Sequence, residues 1–278
     1  MTEIQALILG ILQGLTEFLP VSSSGHLVFL QNVFGLEGDL LAFDIVVHFG
    51  TLLAVFCYFW RDLIRITADT CGYLTAWVLR RKKNSMSLDY PYSVPGIFVF
   101  VGSLPTAVIA FGFKDLLEKF YNWLPLTIGA WVVMGVLLIL SKKISNEEER
   151  TLFELNHQDA FWIGTLQGLA IIPGISRSGS TILAGMFMGL EKDAAARYSF
   201  LLAIPAIVGA GLLKMKDGID LFHENTSVML IGFFASAVAG YFTIACLMSL
   251  IRRSRFYVFG YYLLTIAVIA SAFMLFKG

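Results

Sequence analysis

Residues 6–25 read ALILGILQGLTEFLPVSSSG, residues 160–179 read AFWIGTLQGLAIIPGISRSG, and the two stretches align without a gap. The identical pairs are Ala6/Ala160, Gly10/Gly164, Leu12/Leu166, Gln13/Gln167, Gly14/Gly168, Leu15/Leu169, Ser22/Ser176, Ser24/Ser178 and Gly25/Gly179. An apolar chain yields Leu and Gly coincidences from composition alone. It does not readily yield Gln-Gly-Leu followed at a matching interval by Ser-x-Ser-Gly. We read an internal repeat within one membrane domain spanning residues 1–278, with the first copy at about 1–145 and the second at about 155–278.

Each aligned stretch has apolar arms around a polar, helix-breaking centre. In residues 4–30 the break holds Gly14, Glu17, Pro20, Ser22, Ser23, Ser24 and Gly25; in residues 160–190 it holds Pro173, Gly174, Ser176, Arg177, Ser178, Gly179 and Ser180. Neither arm is long enough to cross a hydrocarbon layer of about 30 Å alone. Such segments read as re-entrant helical hairpins, tolerated where protein or water covers the opened backbone.

The rest of the chain supplies the surrounding spans. Hydrophobic residues make up 57% of it and charged residues 14%, with mean hydropathy +0.76, against about 25% charged in soluble domains. This excludes a disordered chain, a nucleic-acid binder and an ordinary cytosolic enzyme. Six apolar runs are expected to be transmembrane helices: Leu41–Trp60, Val94–Gly112, Leu124–Leu140, Ala194–Leu213, Val228–Leu250 and Phe256–Phe276. They are continuous rather than alternating, which argues against a barrel. The expected fold is therefore an all-α polytopic membrane protein. One hairpin and three spans per half force the halves into opposite orientations, an inverted-topology repeat. Cys57 and Cys246 lie inside apolar runs, so no disulfide framework is expected. Met1-Thr2-Glu3 shows no basic region or cleavage site of a secretory signal.

Lys and Arg set the orientation. With the Leu41 run crossing from outside to inside, 14 basic residues fall inside and five outside. The inside set is Arg61, Arg65, Arg80, Arg81, Lys82, Lys83, Lys142, Lys143, Arg150, Lys192, Arg197, Arg252, Arg253 and Arg255; the outside set is Lys114, Lys119, Lys214, Lys216 and Lys277. The Arg61–Lys83 group is expected in a loop. The hairpins then enter from opposite faces and meet near the midplane.

Where they meet, the frame is symmetric and the reactive groups are not. Glu17 and His26 face Ile171 and Ser180 across the repeat, and Arg177 faces Ser23. Arg offers a planar fork matched to phosphate oxygens. Serine turns around Ser22, Ser24, Ser176 and Ser178 can aim N–H groups and hydroxyls at an anion, or simply cap the helices that follow. Gln13 and Glu17, one turn apart, place two oxygens on one face beside the phosphates, as Mg²⁺ or Ca²⁺ requires. His26 is a candidate nucleophile or general acid/base, with Ser22 and Ser23 as alternatives. A structural Glu17–Arg177 pair is the plainer reading of those two charges. Asp44 and His48 read chiefly as a local hydrogen bond, with an extra ligand pair as the alternative, and His157 and His223 as solvated loop residues.

At these residues the chain resembles the undecaprenyl-diphosphate phosphatase family of bacteria, the membrane proteins associated with bacitracin resistance. The resemblance covers essentially the full length. It rests on Gln13-Gly-Leu-Thr-Glu17-Phe-Leu-Pro-Val-Ser-Ser-Ser-Gly-His26 and on Pro173-Gly-Ile-Ser-Arg-Ser-Gly-Ser-Thr181. Gln13 and Glu17 match the family's Glu/Gln-x-x-x-Glu motif, Gln13 being its less acidic form. The motif histidine falls on His26, the motif serine on Ser23, the phosphate-binding Ser-Arg pair on Ser176 and Arg177, and Thr181 closes the second motif. The resemblance implies removal of the terminal phosphate of undecaprenyl diphosphate, recycling the lipid carrier for cell-wall synthesis. It also implies a site open to the periplasmic or extracellular side of the bacterial plasma membrane. A polyprenyl-phosphate flippase or secondary transporter is the alternative reading, and a homodimer is left open.

Overall fold

The computed structural model describes residues 1–36, 40–79, 89–113, 123–144, 149–224, 226–252 and 255–277. In chain order its α-helices are α1 (Glu3–Glu17), α2 (Ser23–Val33), α3 (Leu41–Tyr58), α4 (Trp60–Val78), α5 (Ser93–Gly112), α6 (Leu124–Leu140), α7 (His157–Leu169), α8 (Arg177–Phe187), α9 (Lys192–Glu224), α10 (Thr226–Arg252) and α11 (Val258–Lys277). Among the described residues the sole β feature is an isolated bridge between Arg150 and Leu190. The all-helical expectation holds, as it must where backbone groups cannot turn to water.

Both broken stretches form helix pairs. The arms have 15 and 11 residues in α1 and α2, and 13 and 11 in α7 and α8. At a rise of about 1.5 Å per residue even α1 is only about 22 Å long, short of a bilayer. Local chemistry sets the ends. Thr2 and Gln5 close a capping box on α1, and Asn156 and Asp159 close one on α7. Proline at position 20 and Pro173-Gly174 interrupt the two pairs.

Among the described residues five helical segments are long and apolar enough to cross a membrane, Ser93–Gly112, Leu124–Lys143, Lys192–Leu212, Thr226–Ile251 and Val258–Phe276, and the bent pair α3–α4 makes a sixth if it is taken as one span. The chain is thus a multi-pass membrane protein. On α5, Phe100, Leu104, Val108 and Phe111 are exposed at helical spacing, an apolar stripe suited to lipid rather than water.

The first expected span differs. Its helix α3 stops at Tyr58, and α4 departs at a bend of 78°. Arg61 and Arg65 therefore lie on a helix, not in a loop. The reason is amphipathicity: Leu63, Ile66, Thr70, Tyr73 and Ala76 turn toward protein while Arg61, Arg65, Ala68 and Thr75 stay exposed. α4 packs on α5, where Asp69 accepts the Tyr92 backbone N–H at 3.1 Å. His157 likewise begins α7, and His223 falls within α9 rather than in a loop. Arg80, Arg81, Lys82, Lys83, Lys114, Lys119 and Arg253 lie outside the described residues.

The helices of the two halves exchange partners. α1 lies along α10, and α7 lies along α5. α6 pairs with α11, and α3 touches α9. The repeated glycines mark the crossings. A Cβ on Gly10 would sit 2.6 Å from the Gly232 carbonyl oxygen, and one on Gly164 would sit 2.0 Å from that of Gly102. Close backbone approach through small residues is how helices associate where lipid offers no hydrophobic drive.

Candidate functional site

The two hairpin tips touch. Phe18, at the end of α1, is fully buried and meets Phe200 of α9 edge to face, ring centroids 5.4 Å apart. Ser178 of the second tip donates to the Leu19 carbonyl of the first at 2.9 Å. Between these contacts the Arg177 guanidinium donates to Glu17 Oε1 in a direct ion pair. The two charges are thus paired across the tips.

Glu17 is the hub. Its other oxygen, Oε2, accepts from Ser23 Oγ at 2.6 Å and from Gln13 Nε2 at 2.9 Å. His48 Nε2 of α3 stands 3.6 Å from the same oxygen, and its Nδ1 bonds the Asp44 backbone carbonyl at 2.6 Å. The Glu17 side chain is 5% exposed and that of Arg177 17%. A buried carboxylate is stable only when so matched.

The serines divide between capping and bridging. Ser22 Oγ accepts from the Gly25 N–H at 3.3 Å, and Ser176 Oγ accepts from the Gly179 N–H at 3.0 Å. These repeat mates are equivalent N-caps. Ser24 is half-buried, 3.5 Å from Ser22 Oγ. Thr181 meets Ser199 Oγ of α9 at 2.6 Å and donates to the Arg177 carbonyl at 2.9 Å, so it braces α8 under Arg177. Arg177 also donates to the Ser199 carbonyl at 3.5 Å. Ser180 turns away, toward Met134.

Ser22 has φ +65°, the one positive φ outside glycine among the described residues. Its repeat mate Ser176 has φ −73°, and the positive φ of the second turn falls instead on Gly174, at +94°. A serine there carries strain that its surroundings must hold. His26 is one such holder: its Nδ1 bonds the Ser22 carbonyl at 2.8 Å. Its Nε2 lies 2.8 Å from the Tyr262 hydroxyl of α11, and its ring is 5.1 Å from that of Trp131 on α6. His26 therefore faces α6 and α11, while Glu17, Ser23 and Arg177 face one another.

The fit to a divalent cation rests on one orphan. Gln13 turns its Nε2, not the expected oxygen, to Glu17 and leaves Oε1 buried without a hydrogen-bond partner, as its repeat mate Gln167 also does. A cation beside it would satisfy that oxygen and share Glu17, while phosphate and water oxygens completed the shell. Among the described residues no group of three or more His, Cys, Asp and Glu is arranged to hold a metal.

Nothing local in the sequence marks His48 as a neighbour of Glu17, or brings Tyr262, Ser199 and Trp131 to the tips. The expected local bond between Asp44 and His48 is present through the Asp44 backbone carbonyl, while the Asp44 carboxylate accepts from Gln31 Nε2 at 2.8 Å. Tyr262 lies 236 residues from His26, and nothing local signals the contact.

The family model for bacitracin resistance protein BacA matches residues 6–269. A protein of Halothermothrix orenii named undecaprenyl-diphosphatase is 39% identical over 260 residues, 93% of each chain. Proteins of that name from Alkaliphilus metalliredigens (40% over 279 residues, 99% of this chain and all of the relative) and Methanosphaera stadtmanae (37% over 270 residues, 96% of each) are similarly close.

Proposed function

The chain belongs to the BacA family, and from that premise we propose that it is an undecaprenyl-diphosphatase, working where its two hairpin tips meet. It hydrolyses undecaprenyl diphosphate to undecaprenyl phosphate and inorganic phosphate, returning the carrier for cell-wall synthesis. The named relatives support the substrate. The Glu17–Arg177 contact between the tips carries the assignment of the site.

Ser23 is the nucleophile, because its hydroxyl already donates to a carboxylate at 2.6 Å. Ser23 Oγ bonds the terminal phosphorus as its proton passes to Glu17. The bond from that phosphorus to the bridging oxygen breaks, and undecaprenyl phosphate leaves. Water then attacks the phosphoserine and the P–Oγ bond breaks. Glu17 returns its proton to Oγ, and the protons of the water leave with the phosphate. Arg177 has five N–H donors, of which Glu17 and the Ser199 carbonyl engage two. The others meet phosphate oxygens as charge shifts. Ser22 and Ser176 hold their tips by capping, with Ser24 and Ser178 beside them at the phosphate-facing turns. Thr181 sets the base of Arg177. His26 has both ring nitrogens engaged and holds the strained Ser22 turn.

Gln13 and Glu17 are the proposed ligands of Mg²⁺ or Ca²⁺, which when bound supplies positive charge to the diphosphate. The partner exchange of α1 with α10 and α7 with α5 supports opposed halves. The charge bias of 14 to five supports hairpins entering from opposite faces of a bacterial plasma membrane, with the site open to the outer side.

The test is phosphate release from undecaprenyl diphosphate by purified protein in detergent, with and without chelator. Turnover is expected in the wild type, lost with chelator and restored by Mg²⁺ or Ca²⁺. The Gln13→Glu variant is expected to reach half-maximal rate at a lower cation concentration, since it adds a ligand charge. An unchanged cation requirement would remove Gln13 from the ligand set. Absence of turnover in the wild type would overturn the reading.

A further inference from the structure

We infer that Tyr262 is a positioning residue: its hydroxyl, through His26, holds the Ser22–Ser23 turn that aims the nucleophile. The inference rests on the proposed role of Ser23 and extends it to a helix at the far end of the chain.

The chain of contacts is short. Ser22 is held at φ +65°, where an L side chain is strained. The next residue, Ser23, donates to Glu17 Oε2 at 2.6 Å, so rotation of the Ser22–Ser23 peptide would move the attacking oxygen. The Ser22 carbonyl fixes that peptide by accepting from the His26 backbone N–H at 3.2 Å and from the His26 ring at 2.8 Å. A carbonyl has no proton to give, so His26 Nδ1 carries the hydrogen. In the neutral imidazole Nε2 is then the acceptor, and Tyr262 Oη donates to it at 2.8 Å. The two ring planes run parallel to within 8°, with centroids 5.6 Å apart, so the contact joins two rings held in a fixed mutual orientation. Trp131, fully buried, covers another side of the imidazole with centroids 5.1 Å apart.

Thus one side of the imidazole is bonded to the turn and the other to α11, a helix of the second half. Without the Tyr262 hydroxyl, the imidazole loses its outer anchor and the Ser22 carbonyl loses a rigid donor. The effect falls on the chemical step rather than on substrate affinity, because Tyr262 acts on the orientation of Oγ.

The test compares wild type, Tyr262→Phe, His26→Gln and the double variant in the phosphate-release assay, alongside ¹⁵N spectra of histidine-labelled protein. The His26 signals are assigned by their loss in His26→Gln. In the wild type, Nδ1 should appear protonated and Nε2 as a hydrogen-bonded acceptor; in Tyr262→Phe the Nε2 resonance should move downfield. The kcat of Tyr262→Phe should fall about ten- to a hundredfold, with KM within about twofold and thermal unfolding unchanged. In the His26→Gln background, Tyr262→Phe should cost less than about twofold more, because both changes cut one chain.

An unshifted Nε2 resonance, or a full multiplicative loss in the double variant, would overturn the inference. A wild-type Nε2 that is protonated would also overturn it, whether or not any variant folds. If wild-type protein releases no phosphate, the proposed function fails and the Nε2 resonance alone decides the Tyr262 contact.

Discussion

The two hairpins are built alike and armed differently. In both, a Gln-Gly pair sits where one half crosses the other, and a serine hydroxyl caps the second helix through a glycine N–H. What they share packs and caps. What they do not share meets at the tips: Glu17 where the second hairpin has Ile171, and Arg177 where the first has Ser23. Under the proposed function, identity across the repeat chiefly marks scaffold, and difference marks the reacting groups. Gln13 and Gln167 refine the rule. Gln13 donates to Glu17, whereas Gln167 donates to the Leu202 carbonyl at 3.2 Å and Thr106 Oγ1 at 3.4 Å. One residue type serves the site in the first copy and the packing in the second.

The largest effects should come from erasing a difference. Ser23→Ala should reduce kcat by at least about 10³-fold, since it removes the proposed attacking oxygen. Arg177→Ser, which gives the second tip the first tip's residue, should cost about 10³-fold in kcat/KM. Each is read by phosphate release; near-normal turnover in either would break the division between tips.

Erasing an identity should instead cost stability. Gly164→Ala drives a Cβ against the Gly102 carbonyl and should destabilise by about 3 kcal/mol, read as a lower thermal midpoint in detergent. Outside the repeat, Arg150→Ala should cost about 2 kcal/mol as well. It leaves Asp159, bonded through both oxygens at 2.8 and 2.9 Å, buried without its partner, while the chemistry at the tips is spared. The smallest effects separate the glutamines: Gln13→Ala should lower kcat/KM about tenfold with stability little changed, and Gln167→Ala should do the reverse. Equal effects of the two would contradict the assignment of Gln13 to the site.

Much of this was legible in the chain because the signals are local. Apolar runs show spans, the aligned stretches show the hairpins, and the two tip motifs hold Glu17, Ser23 and Arg177 within a few residues of each repeat's centre. The bend at Phe59 was missed because α3 and α4 run on apolar enough to hide a change of direction; the shift from all-round apolarity to a one-sided pattern after Trp60 is its trace. His48 and Tyr262 were missed because their partners are set by tertiary packing. A histidine a turn from an aspartate looks like a local pair until α3 is laid beside α1, and no periodicity on α11 distinguishes Tyr262 from its neighbour Tyr261.

The most direct test of the central claim, that the tips form one site, is a double-mutant cycle on kcat/KM with Glu17→Gln, Arg177→Ala and both together. Shared function at a contact predicts that the pair loses no more than about tenfold beyond the worse single variant. A loss equal to the product of the two single losses would mean that Glu17 and Arg177 act apart.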